Sequence, residues 1–106
     1  MGQIYQVVLT AGAQADIRNI YDFLLENASY QTAERVKAGI EEEIAKLAHM
    51  PESRGLLRRT KSETVYRRVL KWSYRIIFTI EETELWVLVV RIDRTKSDPV
   101  RLEDLP

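Results

Sequence analysis

Two amphipathic segments separated by a four-residue link most constrain the fold of this 106-residue chain. In each segment apolar side chains recur every three or four positions, which is the spacing of one face of a helix. The stripes are Ala13, Ile17, Ile20, Tyr21 and Leu24 in the first segment, and Ala33, Val36, Ile40, Ile44 and Leu47 in the second. Thr10 is placed to cap the first helix, which is expected to end near Asn27, and the second is expected over about residues 31–49. The short link predicts an antiparallel helical hairpin.

Strand-like segments flank the predicted hairpin. Residues 4–9 precede it, and residues 64–72, 74–80 and 85–92 follow it, with a turn at residues 81–84 short enough for a β-hairpin. The order β-α-α-β-β-β predicts an α+β fold, in which an antiparallel sheet packs on an N-terminal helical hairpin. A chain of this length fits a single domain over residues 1–106.

One helical hairpin can cover only one face of such a sheet. The last predicted strand is apolar on both faces, so we expect an apolar face to remain open beside Arg75 and Arg91 and to bind a partner. The apolar residues assigned to that open face are Ile77, Leu85, Val87 and Val89.

The charge of the chain is unevenly distributed. Residues 54–75 contain eight Arg or Lys residues and one acid, although the whole chain has a net charge of zero. A local basic field attracts phosphate or an acidic partner, so Arg58, Arg59 and Lys61 are predicted binding residues. The alternative is a solvated sheet edge on which cations block unwanted strand pairing.

Several kinds of site are excluded by composition. The chain has no cysteine and one histidine, His49, which argues against nucleophilic dyads, the usual zinc sites and any cofactor or metal. His49 is predicted to end a helix rather than to act in catalysis. The sequence has no apolar leader and no apolar run of membrane length, so we expect a cytoplasmic protein without membrane association.

Arginine and lysine are the remaining candidates for chemistry. Arg75 and Arg91 interrupt apolar strands, where a charge is costly unless it has a partner. Each is predicted either to bind phosphate or to pair with an acid of this domain or of a partner chain. Lys71 and Arg94 flank the same strands. Two tryptophans, Trp72 and Trp86, are expected either to stack on bases or to belong to the core.

The chain resembles the RelE/ParE superfamily of toxins from type II toxin–antitoxin modules. The resemblance rests on the order and spacing of four segments, "VVLTAGAQADIRNIYDFL", "KLAHMPESRG", "WSYRIIF" and "LWVLVVRIDR", and it covers nearly the whole chain. It implies a small twisted antiparallel sheet packed on a helical hairpin. Within the superfamily, RelE-like members cleave messenger RNA on the ribosome with basic residues and a terminal Tyr or His, whereas ParE-like members trap DNA gyrase on cleaved DNA.

Arg75 matches the family arginine of the "YR" strand. Residues 91–99 replace the closing motif of the ribonucleases, because they lack its histidine and no tyrosine follows Tyr74. Without that acid–base pair a leaving oxygen has no evident proton donor. The resemblance therefore implies a ParE-like protein more than a RelE-like one.

Three functions follow from the resemblance. The preferred one is a toxin that inhibits DNA gyrase, forms a hetero-oligomer with its cognate antitoxin and contacts DNA only through that antitoxin. The antitoxin is expected along the open sheet face and the groove beside the hairpin. The second is a ribosome-dependent mRNA endonuclease whose catalytic candidates are Lys71, Arg75, Arg91 and Arg94. The third is a non-toxic corepressor of its own operon.

Overall fold

The computed structural model describes residues 3–59, 64–94 and 105. The first elements are strand β1 (Gln6–Leu9), helix α1 (Ala11–Asn27) and helix α2 (Tyr30–Lys46), followed by a 3-10 turn over Pro51–Ser53. The remaining strands are β2 (Gly55–Arg59), β3 (Val65–Lys71), β4 (Tyr74–Glu81) and β5 (Trp86–Arg94). The predicted helices and the last three predicted strands therefore lie close to where the sequence placed them.

Both helices begin at a side-chain cap. The Thr10 hydroxyl accepts a hydrogen bond from the Ala13 amide at 3.1 Å, which confirms the predicted cap, and Ser29 caps α2 in the same way through Thr32. The predicted stripe of α2 is buried in full, and that of α1 packs against the same core except for Tyr21. Packing of these apolar faces on the sheet is what stabilises the hairpin.

The five strands form one sheet in the order β1-β5-β4-β3-β2. The α+β class and the element order are confirmed, with two differences. β2 is an additional edge strand, and β1 runs parallel to β5 while the other neighbours are antiparallel. The direction of β1 is not fixed by a turn, because the rest of the domain separates it from β5.

The predicted open apolar face is wrong for Val87 and Val89. Both are fully buried in the main core beneath the helices. Ile77 does lie on the opposite face, but it is also fully buried, in a second cluster with Tyr66 and Val90 that Leu57, Leu88 and Leu105 cover. Leu85 belongs to the β4–β5 turn, where it is half-buried and has a φ of 58°. Because β5 is apolar on both faces, its sequence could not tell which face the helices cover.

A β-bulge in β5 changes which residues share a face. Ile77 pairs with Arg91 and the next residue, Phe78, pairs with Val89, so Val90 is an extra residue in β5. As a result Val89 faces the helices, whereas Arg91 lies across from Ile77 and Asp93 lies across from Arg75.

Candidate functional site

Arg75 is held by an acid of its own domain. Its Nε and Nη2 donate to the two carboxylate oxygens of Asp93 at 3.1 and 2.6 Å. The Asp93 side chain is 1% exposed and that of Arg75 is 15% exposed. This two-point contact is the strongest geometry available to an arginine and a carboxylate. Of the alternatives predicted for Arg75, the structure shows pairing within the domain.

Arg91 is also paired within the domain, with Asp16 of α1. The Arg91 guanidinium donates to both Asp16 carboxylate oxygens, at 2.7 and 3.1 Å, and the Ile92 amide donates to the same carboxylate at 2.8 Å. Beyond Val89 the edge of β5 is no longer covered by β1. Asp16 therefore satisfies a strand-edge amide that would otherwise lack a strand partner.

The other predicted basic residues lie in different places. Lys71 Nζ is 4.0 Å from Glu43 on α2, and the Arg94 guanidinium lies over the rings of Phe23 and Tyr74, at 5.8 and 6.0 Å. Arg58 and Arg59 belong to edge strand β2, and Lys61 lies outside the described residues. Lys71 and Arg94 thus lie on the two strands that flank Tyr74, whereas Arg75 and Arg91 are held in ion pairs.

An open groove lies between the helical hairpin and the β3–β4 turn. We call it the Trp72 groove; its volume is about 530 Å³, and it is lined by Leu24, Thr32, Arg35, Val36, Trp72 and Tyr74. None of these lining residues is acidic. Lys71 lies 4.7 Å above the Trp72 ring. The Trp72 side chain itself is 55% exposed.

Gly39 of α2 allows Trp72 to lie where it does. A Cβ atom at position 39 would be 2.5 Å from Cη2 and 2.6 Å from Cζ3 of the Trp72 ring, closer than carbon atoms can approach. Trp72 itself has a φ of 54° in the β3–β4 turn, a conformation that non-glycine residues seldom adopt. The turn and the glycine together place an indole against the middle of α2.

The sequence predicts a groove beside the hairpin as part of the antitoxin site, but it assigns Trp72 only to base stacking or to the core and not to that groove. The sequence places Trp72 at the end of the strand predicted over residues 64–72, so strand alternation alone suggests that Leu70 and Trp72 share a face. The positive φ of Trp72 breaks that alternation. A glycine inside a helix was the available signal, because it often marks the close approach of another group.

Two tyrosines have a raised pKa. The Tyr21 hydroxyl donates to Glu34 at 2.5 Å, and this hydrogen bond is the main reason why the pKa of Tyr21 rises to about 12. Partial burial, then the charges of Glu52 and Glu82, raise the pKa of Tyr5. The Tyr21–Glu34 contact links α1 to α2 and so belongs to the hairpin rather than to the groove.

Within the described ranges, no three His, Cys, Asp or Glu side chains come together as a metal site. None of the helices in this part of the chain is both long and apolar enough to span a membrane.

Solved structures share this fold. The chromosomal ParDE toxin–antitoxin system from P. aeruginosa contains a chain with a TM-score of 0.73 and 20% identity; the match covers 88% of this chain and 98% of that one. The toxin–antitoxin complex RelBE2 from Mycobacterium tuberculosis contains a chain with a TM-score of 0.66 and 19% identity, covering 87% and 92%. No curated protein matches the sequence.

A family model also matches most of this chain. The model of the ParE toxin of the type II toxin–antitoxin system parDE matches residues 7–99. This range includes every helix and strand except the first residue of β1. The chain therefore belongs to the ParE toxin family of type II toxin–antitoxin systems.

Proposed function

We propose that this chain is a toxin that inhibits DNA gyrase and that a cognate antitoxin binds and neutralises it. Membership of the ParE toxin family makes gyrase the first target to test. The choice of gyrase over messenger RNA rests on one observation, which is that Arg75 and Arg91 are both paired with carboxylates. Arg75 and Arg91 are each held by two carboxylate oxygens of the same domain.

A ribonuclease of this fold needs cations that are free to meet a phosphate as charge develops on it. An arginine already bound at two points by a carboxylate has its best phosphate-binding geometry occupied. Releasing Arg75 would also leave the buried Asp93 without its counter-ion, which is costly. These pairs support structural roles for Arg75 and Arg91.

Neither His49 nor Tyr74 is placed to donate a proton near these arginines. His49 forms a bridge with Ile4, next to the Trp86 end of β5. Arg91 and the Arg75 partner Asp93 lie near the other end of that strand, beyond hydrogen-bond reach. Tyr74 is close along the chain but is 5% exposed and faces the helices. This arrangement supports an inhibitor that acts by binding.

The decisive experiment compares two targets with one preparation of the protein. The purified chain is added to a gyrase supercoiling reaction and, in parallel, to ribosomes translating a defined messenger RNA. We expect loss of supercoiling with accumulation of cleaved DNA, and no cut in the messenger RNA. Prior addition of the antitoxin should restore supercoiling.

Each other outcome rejects the proposal in a different way. Codon-positioned cuts in ribosome-bound messenger RNA would assign the chain to the endonucleases. If neither target is affected but the chain still binds its antitoxin and strengthens operator binding, the chain is a corepressor. A chain that binds no antitoxin contradicts the proposal in full.

A further inference from the structure

We infer that the Trp72 groove is the docking site of the antitoxin, and that the segment it receives is amphipathic, with carboxylates beside large apolar side chains. This inference rests on the proposed function and adds which surface and which chemistry carry the contact. Two surfaces are expected from the sequence, the open sheet face and the groove beside the hairpin, and the Trp72 groove corresponds to the second because it lies on the helical side of the sheet.

The charges around the groove select an acidic segment. Arg35 lines the groove, while Lys71 and Arg94 lie over the rings of Trp72 and Tyr74, which are part of its wall. Within the described residues no carboxylate is within salt-bridge distance of Arg35 or Arg94, and the only one near Lys71 is that of Glu43. A partner that brings carboxylates forms ion pairs with these cations, whereas a basic partner is repelled.

The apolar surface of the groove selects large side chains. Trp72 is half exposed, although a lone domain would gain by burying it. Tryptophan is among the residues that most often dominate the energy of a protein interface, because its large rigid ring loses little freedom on binding. The indole is already held against α2, which lowers the entropy cost of docking further.

Gly39 offers a way to move the ring without removing it. Alanine at position 39 would overlap the Trp72 ring at 2.5 and 2.6 Å and must displace it. The ring edge is a half-exposed side chain that can swing away, and alanine is a better helix former than glycine. We therefore expect Gly39→Ala to keep or raise the Tm of the free chain while weakening antitoxin binding.

The test measures the affinity of the full chain for the polypeptide encoded by the reading frame next to its own. Trp72→Ala should weaken binding by about 30-fold or more, which corresponds to an interface hot spot. Gly39→Ala should weaken it in the same direction, and Arg35→Glu should weaken it more at low salt than at high salt. The affinity of Trp72→Phe should lie between those of the parent and Trp72→Ala.

The chain offers two matched controls. Leu70 is 51% exposed, close to the 55% of Trp72, but lies across from Arg75 on the other side of the sheet. Arg18 is an exposed cation of α1 that does not line the groove. Leu70→Ala and Arg18→Glu should change the affinity by less than about threefold, as surface substitutions outside an interface do.

The outcomes separate this inference from the proposed function. If the parent chain binds the neighbouring polypeptide and the groove variants bind as tightly as the controls, the groove is not the docking site and the toxin assignment stands. If the groove variants lose gyrase inhibition but keep antitoxin affinity, the groove belongs to the target and the inference is wrong. If the parent chain binds no such polypeptide, both are rejected.

Discussion

Arg75 and Asp93 face each other across β4 and β5, and the guanidinium binds both carboxylate oxygens at 3.1 and 2.6 Å. Because the Asp93 side chain is 1% exposed, its charge has no access to water if the arginine is removed. Arg75→Ala should therefore lower the free energy of unfolding by about 3–5 kcal/mol, the range for breaking a buried pair from one side. Chemical denaturation measures this loss.

The matched variant removes both charges at once. Replacing a buried ion pair by apolar residues of similar size is often neutral or stabilising, so Arg75→Met combined with Asp93→Leu should recover most of the stability. The same double variant should still inhibit gyrase. If Arg75 instead stabilised charge on a phosphate, RNA cleavage would fall on the order of a hundredfold in a fully folded protein. If the single and double variants are equally unstable, the lost stability does not come from breaking the ion pair.

Asp16 should support the edge of β5 through its three accepted hydrogen bonds. Asp16→Ala leaves Arg91 and the Ile92 amide without that acceptor, at a cost of about 1.5–3 kcal/mol. Hydrogen exchange at the Ile92 amide should become faster in the variant. Asp22→Ala is the control, since Asp22 is an exposed acid of the same helix and should change stability by less than about 0.5 kcal/mol. Unchanged protection at Ile92 would contradict this role of Asp16.

Ile40 lies at the centre of the contact between α2 and the sheet and is 1% exposed. Ile40→Ala should lower the free energy of unfolding by about 2–5 kcal/mol, through lost burial and the cavity that remains. Leu24 lines the groove and is only partly buried, so Leu24→Ala should lower the free energy of unfolding by less than Ile40→Ala does. Leu25 is 42% exposed on the other side of α1 and serves as the comparison. A normal melting curve for Ile40→Ala would show that the α2 register is wrong.

Tyr21 should ionise well above the ordinary tyrosine range. Its pKa is raised from 10.0 to about 12, mainly because the hydroxyl donates to Glu34. A group with a raised folded-state pKa adds stability that is present below the unfolded value and is lost as the pH rises through the folded value. The stability advantage of the parent over Tyr21→Phe should therefore persist below pH 10 and vanish by about pH 12. Phenolate absorbance and denaturation at each pH test this; a Tyr21 titration near pH 10 would contradict it.

The elements of this fold were readable in the sequence, because helices and strands leave different apolar periods. The stripe of Ala33, Val36 and Ile40 predicts a buried helix face without ambiguity, and the structure buries all three. β2 was missed because its five residues hold no alternating pattern and because it begins at a glycine, Gly55, shortly after Pro51. A strand with a clear apolar pattern is thus easier to predict than a strand without one.

The sheet face that each strand residue occupies, and the partner of each charged side chain, were harder to predict. An all-apolar strand such as β5 gives no sign of which side meets the helices, and the bulge at Val90 appears only when β4 is placed beside it. The partners of Arg75 and Arg91 depend on the same alignment, since Asp93 is a cross-strand neighbour and Asp16 is 75 residues away from Arg91. Long-range register, and not local propensity, decides where charges find counter-ions.

The parallel pairing of β1 with β5 also sets when the protein can complete its fold. The Thr10 hydroxyl donates to the Val90 carbonyl, a contact between residues 80 positions apart. Such distant contacts form only after a large loop has closed, which makes folding slow. During synthesis the hairpin emerges first and has no β5 to cover its apolar face. A nascent chain that stops before Trp86 lacks β5 and cannot complete the sheet. The final fold therefore forms only after β5 has been made, within a window in which a newly made partner can meet it.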